Sequence, residues 1–268
     1  MNPVNRTTDV LVCLKWVFQA SEPSDARFAG MSPADHAALE LALQWAAHIN
    51  GQLTAITVGP PEGEAVLREA LACGAVRAVR IDASTAITSI DVASAIASVA
   101  RRAAWVWCGD YSIDNGSGSV PSFLAAALQA SQALGIVGVS FENDCIVATR
   151  RVDGGRRELL DVRASAVISV EGAAARLRRA SLTATRAAVT APIEVVTPTI
   201  AMHASEHTVH TYRPRARALA SPSGVDALDR VRSLTATGAA PSTHEVETLA
   251  PADAAARIVR ALTDWGYL

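Results

Sequence analysis

The chain has 268 residues, of which 50% are hydrophobic and 19% charged, and its formal net charge at pH 7 is -2. This length is enough for the core of one α/β domain and an appendage. The small net charge, without blocks of like charge, favours neither nucleic acid nor an anionic membrane surface as a partner. The four cysteines form no Cys-x-x-Cys pair, and no signal peptide or apolar membrane-spanning run is visible. We therefore expect a reduced, cytoplasmic protein without membrane insertion.

The first predicted elements are a buried strand, a helix and a second strand. The run DVLVCLKWV, residues 9–17, is nearly continuous and apolar, as is typical of a strand in a parallel sheet. The sequence Ser32-Pro33-Ala34-Asp35 predicts a helix start, because it combines an N-cap, a proline in the first turn and an early carboxylate. Gly51 predicts a left-handed helix end, and residues 53–59 predict the second strand.

The same alternation continues along the chain. The further predictions are a helix at 62–73, a strand at 76–81, a helix at 91–102, a strand at 103–109, a helix at 121–134 and a strand at 135–140. Repeated strand–helix–strand units predict right-handed crossovers. We therefore expect an α/β fold with a doubly wound, mostly parallel sheet, which is a Rossmann-like architecture.

After residue 140 the pattern changes. Residues 145–151 and 158–163 flank Asp153-Gly154-Gly155, which predicts an added β-hairpin, and residues 164–170 return to a buried strand. Prolines interrupt the chain from about residue 195 onward, which predicts an extended C-terminal arm. Residues 251–268 regain helical spacing, and this helix needs its own core or a partner subunit to lie on.

The segment CGDYSIDNGSGSVPSF, residues 108–123, indicates a ligand site. It follows a buried strand, contains three glycines among small polar residues and ends in a helix that starts at a proline. Backbone N–H groups of such a loop and of the helix start bind phosphate at the carboxyl end of a parallel strand. The same composition also suits an ordinary strand-to-helix loop. The spacing excludes a Rossmann glycine fingerprint and a P-loop.

No catalytic constellation is visible. His203, His207 and His210 have helix-compatible spacing but lie among prolines without clustered carboxylates or thiols, so we expect no metal site. Asp35 and Asp114 are the carboxylates expected beside the loop, where they orient ribose or water rather than perform acid–base chemistry. Lys15 is the only lysine of the chain, and we assign it no function.

Five groups of motifs, in order, resemble the electron transfer flavoprotein β subunit, also called the FixA family. They are VLVCLKWV, MSPADHAALE, TVGPPEGEAVLREALACGAVRAVRI, the loop WCGDYSIDNGSGSV, and the pair RRVDGGRRELLDVRASAVISV and RRASLTATRAAVTAPIEV. The resemblance implies a heterodimer in which an α subunit holds most of the FAD and this chain holds AMP. Electrons then pass from a dehydrogenase to a downstream acceptor, and no residue of this chain is catalytic.

The resemblance also implies site residues. The implied AMP-binding residues are Cys13, Ser32, Pro33, Ala34, Asp35, Val58, Gly109, Asp110, Tyr111, Ser112, Ile113, Asp114, Asn115, Gly116, Ser117, Gly118, Ser119 and Val120. The implied docking residues for the dehydrogenase are Leu182, Arg178, Arg179 and Arg186. We therefore expect a nucleotide-binding domain with the hairpin and docking loop at residues 1–195, and an arm and helix at residues 196–268 that pack on the α subunit.

The chain departs from the family pattern at several positions. Ser32, Ser119 and Ser165 replace an asparagine, a glutamine and a proline, and residues 187–190 replace a lysine cluster with Ala-Ala-Val-Thr. Because that cluster is lost, we expect a dedicated flavin or other dehydrogenase as the partner. Two alternatives stay open: an electron-bifurcating form with a second FAD in this subunit, and a stand-alone adenine-nucleotide-binding module of universal-stress type.

Overall fold

The computed structural model describes residues 9–17, 29–84, 87–100, 103–143, 145–198, 224–235 and 247–267. The chain divides into two compact units, residues 1–208 and 209–268. The predicted metal-spaced histidines, most of the predicted arm and the last residues of the predicted helix at 91–102 lie outside the described residues. Among the described residues, no helix is both long and apolar enough to cross a membrane.

The first unit is built on a single sheet. Its strands are β1 (Asp9–Cys13), β2 (Gln52–Gly59), β3 (Arg77–Asp82), β4 (Trp105–Gly109), β5 (Ser131–Glu142), β6 (Cys145–Arg151), β7 (Arg157–Val162), β8 (Ala166–Val170) and β9 (Glu194–Val196). Their order across the sheet is β7-β6-β5-β8-β4-β1-β2-β3-β9. In this spatial order, every pairing from β5 through β8 and β4 to β9 is parallel. The β5–β6 and β6–β7 pairings are antiparallel. The predicted mostly parallel, doubly wound sheet is therefore confirmed.

Helices cover both faces of this sheet. They are α1 (Pro33–His48), α2 (Glu64–Cys73), α3 (Ser89–Ala100) and α4 (Val120–Leu128), while α5 (Leu182–Thr190) packs on α2. Because successive strand residues point to opposite faces, Val10 and Val12 pack in the cluster beneath α1 and α2, while Leu11 packs in the cluster beneath α3 and α4. Trp45 of α1 is fully buried and packs edge-on against Trp105, with their ring centroids 4.8 Å apart.

The start of α1 is the predicted one, and its end differs. The Ser32 side chain accepts a hydrogen bond from the Asp35 backbone N–H at 3.0 Å, so serine supplies the N-cap expected at this position. The left-handed residue after the helix is Asn50, with φ of 52°, and the prediction that Gly51 takes this role was wrong. Asparagine tolerates this conformation better than other side chains.

The predicted helix at 121–134 was wrong in its second half. Helix α4 ends at Leu128, Gln129 takes a left-handed φ of 52°, and β5 begins at Ser131. The residues from Ser131 to Ala133 pair with β8, 35 positions later. An alanine-rich run has high helix propensity, but pairing with a distant strand overrides a local preference.

The predicted hairpin is confirmed. Strands β6 and β7 pair in antiparallel register from Ile146 opposite Val162 to Arg151 opposite Arg157. Gly154 and Gly155 have φ of 72° and 73° in the short 3₁₀ turn between them, a conformation that favours glycine. The pair extends the sheet beyond β5.

The second unit contains two described helices, α6 (Ala227–Thr235) and α7 (Pro251–Asp264). Helix α7 starts at the predicted proline and ends before the predicted terminus. Ile258, Val259, Trp265 and Tyr267 are exposed in and just after α7.

Candidate functional site: a cavity at the strand ends

A cavity of about 860 Å³ opens at the carboxyl ends of β1, β2 and β4. We call it the strand-end cavity. The predicted AMP-binding residues that line it are Cys13, Ser32, Asp35, Val58, Gly109, Tyr111, Ser112, Asp114, Asn115, Ser117, Gly118 and Val120. Open parallel sheets bind ligands at this edge, because the strand ends and the helix N-termini meet there.

The remaining predicted AMP-binding residues lie outside the cavity wall. They are Pro33, Ala34, Asp110, Ile113, Gly116 and Ser119. Ala34 is buried against the backbone face of Gly109, and Ile113 is exposed at 55% of its side chain. The cavity wall is therefore formed by some residues of the predicted segments and not by their neighbours, because a segment of chain presents only one side to a cavity.

The loop between β4 and α4, residues 110–119, is a tight turn that we call the cradle loop. The Ser112 N–H donates to the Ser117 carbonyl, and the Gly116 N–H donates to the Ser112 carbonyl, both at 2.8 Å. Gly116 has φ of 63°. A Cβ atom on Gly118 would lie 2.0 Å from the Asp110 carbonyl oxygen, so only glycine fits there.

Lys15 holds the cradle loop to the end of β1. Its Nζ atom lies 2.7 Å from Asp114 Oδ1 and 2.8 Å from Ser112 Oγ. Ser112 Oγ and the Asn115 N–H also donate to the same Asp114 oxygen, at 2.6 and 2.9 Å. Partial burial would raise the pKa of Asp114, but the hydrogen bonds from Lys15 and Ser112 and the charge of Lys15 hold it below its ordinary value.

Asp35 is a buried carboxylate on the same wall. Its Oδ2 atom accepts the Lys15 backbone N–H at 3.1 Å. Burial raises the pKa of Asp35 to about 6, although backbone hydrogen bonds from Lys15 and Gly109 oppose the shift. A Cβ atom on Gly109 would lie 2.6 Å from Asp35 Oδ1, so the glycine at the end of β4 leaves room for this carboxyl group.

The charges of the cavity wall indicate that backbone N–H groups, rather than charged side chains, are the main candidates to bind an anion. Among the lining residues that the structure describes, Lys15 is the only one with a permanent positive charge, and Asp114 neutralises it. Helix α4 begins at the wall, and Ser119 gives it no side-chain cap. The N–H groups and dipole at this helix start therefore favour a phosphate or carboxylate.

Comparison with known proteins gives the family. The model of the electron transfer flavoprotein domain matches residues 25–201. The chain belongs to the electron transfer flavoprotein domain family. This confirms the resemblance predicted from the sequence motifs.

Curated relatives of the electron transfer flavoprotein family are similar to parts of the chain. FixA of Sinorhizobium fredii is 32% identical over 164 residues, which cover 57% of each chain. The electron transfer flavoprotein subunit beta of Thermoanaerobacterium thermosaccharolyticum is 28% identical, covering 52% of this chain and 55% of its own. The acryloyl-CoA reductase electron transfer subunit gamma of Anaerotignum propionicum is 30% identical, covering 47% and 49%. The chain spans about half the length of these relatives.

Part of the wall of the strand-end cavity was missed by sequence reasoning. It includes Lys15, Thr57, Gly59, Glu62, Ser84, Ser89, Val92, Ile96 and Cys108. They lie in the last residues of β2 and β4, just after β1 and β2, between β3 and α3, or in α3. The carboxyl ends of all the parallel strands were the signal that could have indicated them, because ligands bind along that edge rather than at one loop.

The predicted docking residues lie around the start of α5. Leu182 is the first residue of α5 and is 76% exposed, while Ser181 caps the helix by accepting the Ala184 N–H at 3.1 Å. At the other end, Arg68 of α2 donates to the Ala188 and Val189 carbonyls at 2.9 and 2.7 Å. Both ends of α5 are thus fixed, so Leu182 is presented on a capped helix.

Three arginines were predicted to assist docking, and one of them pairs within the chain. Arg178 donates through Nε and Nη2 to the two carboxylate oxygens of buried Glu40, both at 2.9 Å. Burial would raise the pKa of Glu40, but this pairing holds it below its ordinary value. Arg179 and Arg186 are exposed.

Among the described residues, no group of three or more His, Cys, Asp or Glu side chains is placed to hold a metal ion.

Proposed function

We propose that this chain is the β subunit of a heterodimeric electron transfer flavoprotein. It passes electrons from a dehydrogenase to a downstream acceptor through FAD held mainly by an α subunit, and it holds AMP in the strand-end cavity. The observation that carries the proposal is the cavity itself. It lies at the carboxyl ends of β1 and β4, between which the strand order reverses, in a chain of this family.

The cavity wall suits an adenylate. The cradle loop and the start of α4 offer backbone N–H groups to a phosphate, while Val58, Val92 and Ile96 offer apolar contact to an adenine ring. Asp35 and Asp114 are placed to accept hydrogen bonds from ribose hydroxyl groups. A volume of about 860 Å³ falls within the usual range for ligand pockets.

Bound FAD supplies the redox chemistry, and the residues of this chain bind and orient the nucleotide. The loop geometry fixes the adenylate by burial and hydrogen bonding, which completes a polar pocket that otherwise faces water. No residue of this chain is assigned a catalytic role. AMP is a structural component in this account.

The α subunit is the main partner in this proposal. The second unit exposes Ile258, Val259 and Trp265 in and beside α7, and these apolar side chains fit a partner surface. Leu182 docks a dedicated dehydrogenase, and the heterodimer acts in the cytoplasm. An obligate interface of this kind buries roughly 2,000 Å² or more in total.

A second FAD in place of AMP is the alternative that the cavity size favours. The volume of about 860 Å³ lies near the upper end of the pocket range and has room for more than a mononucleotide. That form bifurcates electrons between two flavins. The family match to residues 25–201 favours either heterodimer over a stand-alone universal-stress-type module.

Co-expression with a cognate α subunit tests the proposal. We expect the two chains to co-purify as a yellow heterodimer that a donor dehydrogenase reduces. Failure of the chain to assemble with any flavin-bearing α subunit contradicts the heterodimer. Two FAD molecules per heterodimer select the bifurcating form.

A further inference from the structure

Cys13 and Cys108 lie side by side in the wall of the strand-end cavity. They are Cα partners in the parallel pairing of β1 with β4, and both are free cysteines. Residues paired in register on parallel strands project to the same face, and both side chains pack with the cluster beneath α3 and α4. Cys13 is half-buried and Cys108 is 3% exposed.

The strand pairing brings the Cα atoms of the two cysteines within the range of a disulfide. Neighbouring strands lie about 4.8 Å apart, within the range of roughly 4.4–6.8 Å between the Cα atoms of bonded cysteines. The neighbouring Cys13 thiol and burial both raise the pKa of Cys108, which keeps this thiol protonated and leaves Cys13 as the thiol that reacts first. Cys13 and Cys108 are 95 positions apart in sequence, so no Cys-x-x-Cys motif announces them.

We propose that Cys13 and Cys108 are a redox modification site, where a hydroperoxide that enters the cavity drives formation of a reversible disulfide. The Cys13 sulfur attacks the peroxide, the O–O bond breaks, and Cys13 becomes a sulfenic acid with release of one water or alcohol. The Cys108 sulfur then attacks the Cys13 sulfur and forms the S–S bond. The sulfenic hydroxyl leaves with the Cys108 proton as water.

The roles of the two thiols follow from their exposure. Cys13 is the more exposed of the pair and reacts first, while buried Cys108 resolves the sulfenic acid. The other two cysteines have different surroundings. Cys73 donates to the Arg178 carbonyl at 3.7 Å, and Cys145 donates to an Asp161 carboxylate oxygen.

A peptide map of the oxidised full chain tests this site. The reduced chain is treated with hydrogen peroxide, remaining thiols are alkylated, and the protein is cleaved before aspartates. This cleavage places the four cysteines on four different peptides. We expect peptides 9–24 and 91–109 to be joined with loss of two hydrogen atoms, and dithiothreitol to separate them.

Matched variants and the wild-type map distinguish the outcomes. Cys145→Ser keeps the cross-link, whereas Cys13→Ser abolishes it. The proposal is overturned if Cys13 accumulates as sulfinic acid without a link, if Cys73 or Cys145 joins instead, or if both thiols remain alkylatable. The wild-type map decides between these results without a nucleotide and without any variant, so it does not depend on the proposed function.

Discussion

The ammonium group of Lys15 lies 2.7 Å from a carboxylate oxygen of Asp114, which is 99 positions later in the chain. The pair ties the end of β1 to the cradle loop at the wall of the strand-end cavity. Lys15 is also the only lysine of the sequence.

Lys15→Met should weaken AMP binding without unfolding the protein. Both members of the pair are partly exposed, so its loss should cost at most about 1 kcal/mol of folding free energy. Nucleotide affinity should fall by roughly tenfold, which is about 1.4 kcal/mol, because the loop loses its anchor and the wall loses its cation. Calorimetry with AMP and urea unfolding measure the two effects.

The control for Lys15 is a comparable exposed pair far from the cavity. Arg163 Nη2 lies 2.9 Å from Asp161 Oδ2 beside the hairpin. Arg163→Met should leave the AMP affinity unchanged. Equal losses of affinity in the two variants would reject the anchoring role of Lys15.

The importance of Lys15 could not be read from the sequence. The cradle loop was predicted from the sequence because its glycines and serines directly follow a strand, which is a local pattern. The Lys15–Asp114 contact depends on the placement of β1 beside β4, and only the folded sheet brings them together.

Most of the fold was predictable from the sequence, because the local signals agree with the tertiary structure for most elements. Ser32 and Pro33 fix the start of α1, and the Asp-Gly-Gly turn fixes the hairpin. The largest exception lies at Gln129–Ser131, where an alanine-rich helical run stops and β5 pairs with β8. No local signal of sufficient strength marks that boundary.

Asp35 should make the stability of the nucleotide-free protein depend on pH. Its pKa is about 6 in the fold and 3.8 ordinarily, so the folded state binds the proton more tightly than the unfolded state does. Its contribution is complete below about pH 4 and is lost as the pH rises through 6. The loss should reach at most about 3 kcal/mol.

Urea unfolding between about pH 4 and pH 7 checks this dependence. Asp35→Asn should flatten the decline in the free energy of unfolding. His36 is the group to control for, because Glu69 Oε1, 3.2 Å from His36 Nε2, raises the pKa of His36, and the contribution of His36 is also lost as the pH rises. The comparison is therefore repeated in a His36→Gln background, and parallel pH curves there would contradict the assignment to Asp35.

Arg178 and Arg179 should have different effects although they are neighbours. Arg178→Ala leaves buried Glu40 without its bidentate partner, so the free energy of unfolding should fall by about 2 kcal/mol. Arg179 is exposed, and Arg179→Ala should change it by no more than about 0.5 kcal/mol. Chemical unfolding measures both, and similar values for the two variants would show that Glu40 does not need Arg178.

Leu182→Ala should slow reduction of the heterodimer by its donor dehydrogenase. The side chain is 76% exposed at the start of α5, so its truncation should barely affect stability or nucleotide content. Val189, 61% exposed on the same helix, is the matched control. Stopped-flow reduction should become several-fold slower for Leu182→Ala and not for Val189→Ala. The reason is a lower affinity of the Leu182→Ala heterodimer for the donor. An unaltered rate rejects the docking role.

The nucleotide content of the purified heterodimer tests the central claim most directly. Denaturation releases bound nucleotides, and chromatography identifies and counts them against the two protein chains. We predict one AMP and one FAD per heterodimer, with a lower AMP content when Lys15 is replaced by methionine. A heterodimer that carries FAD in the α subunit and no adenylate in this chain would contradict it.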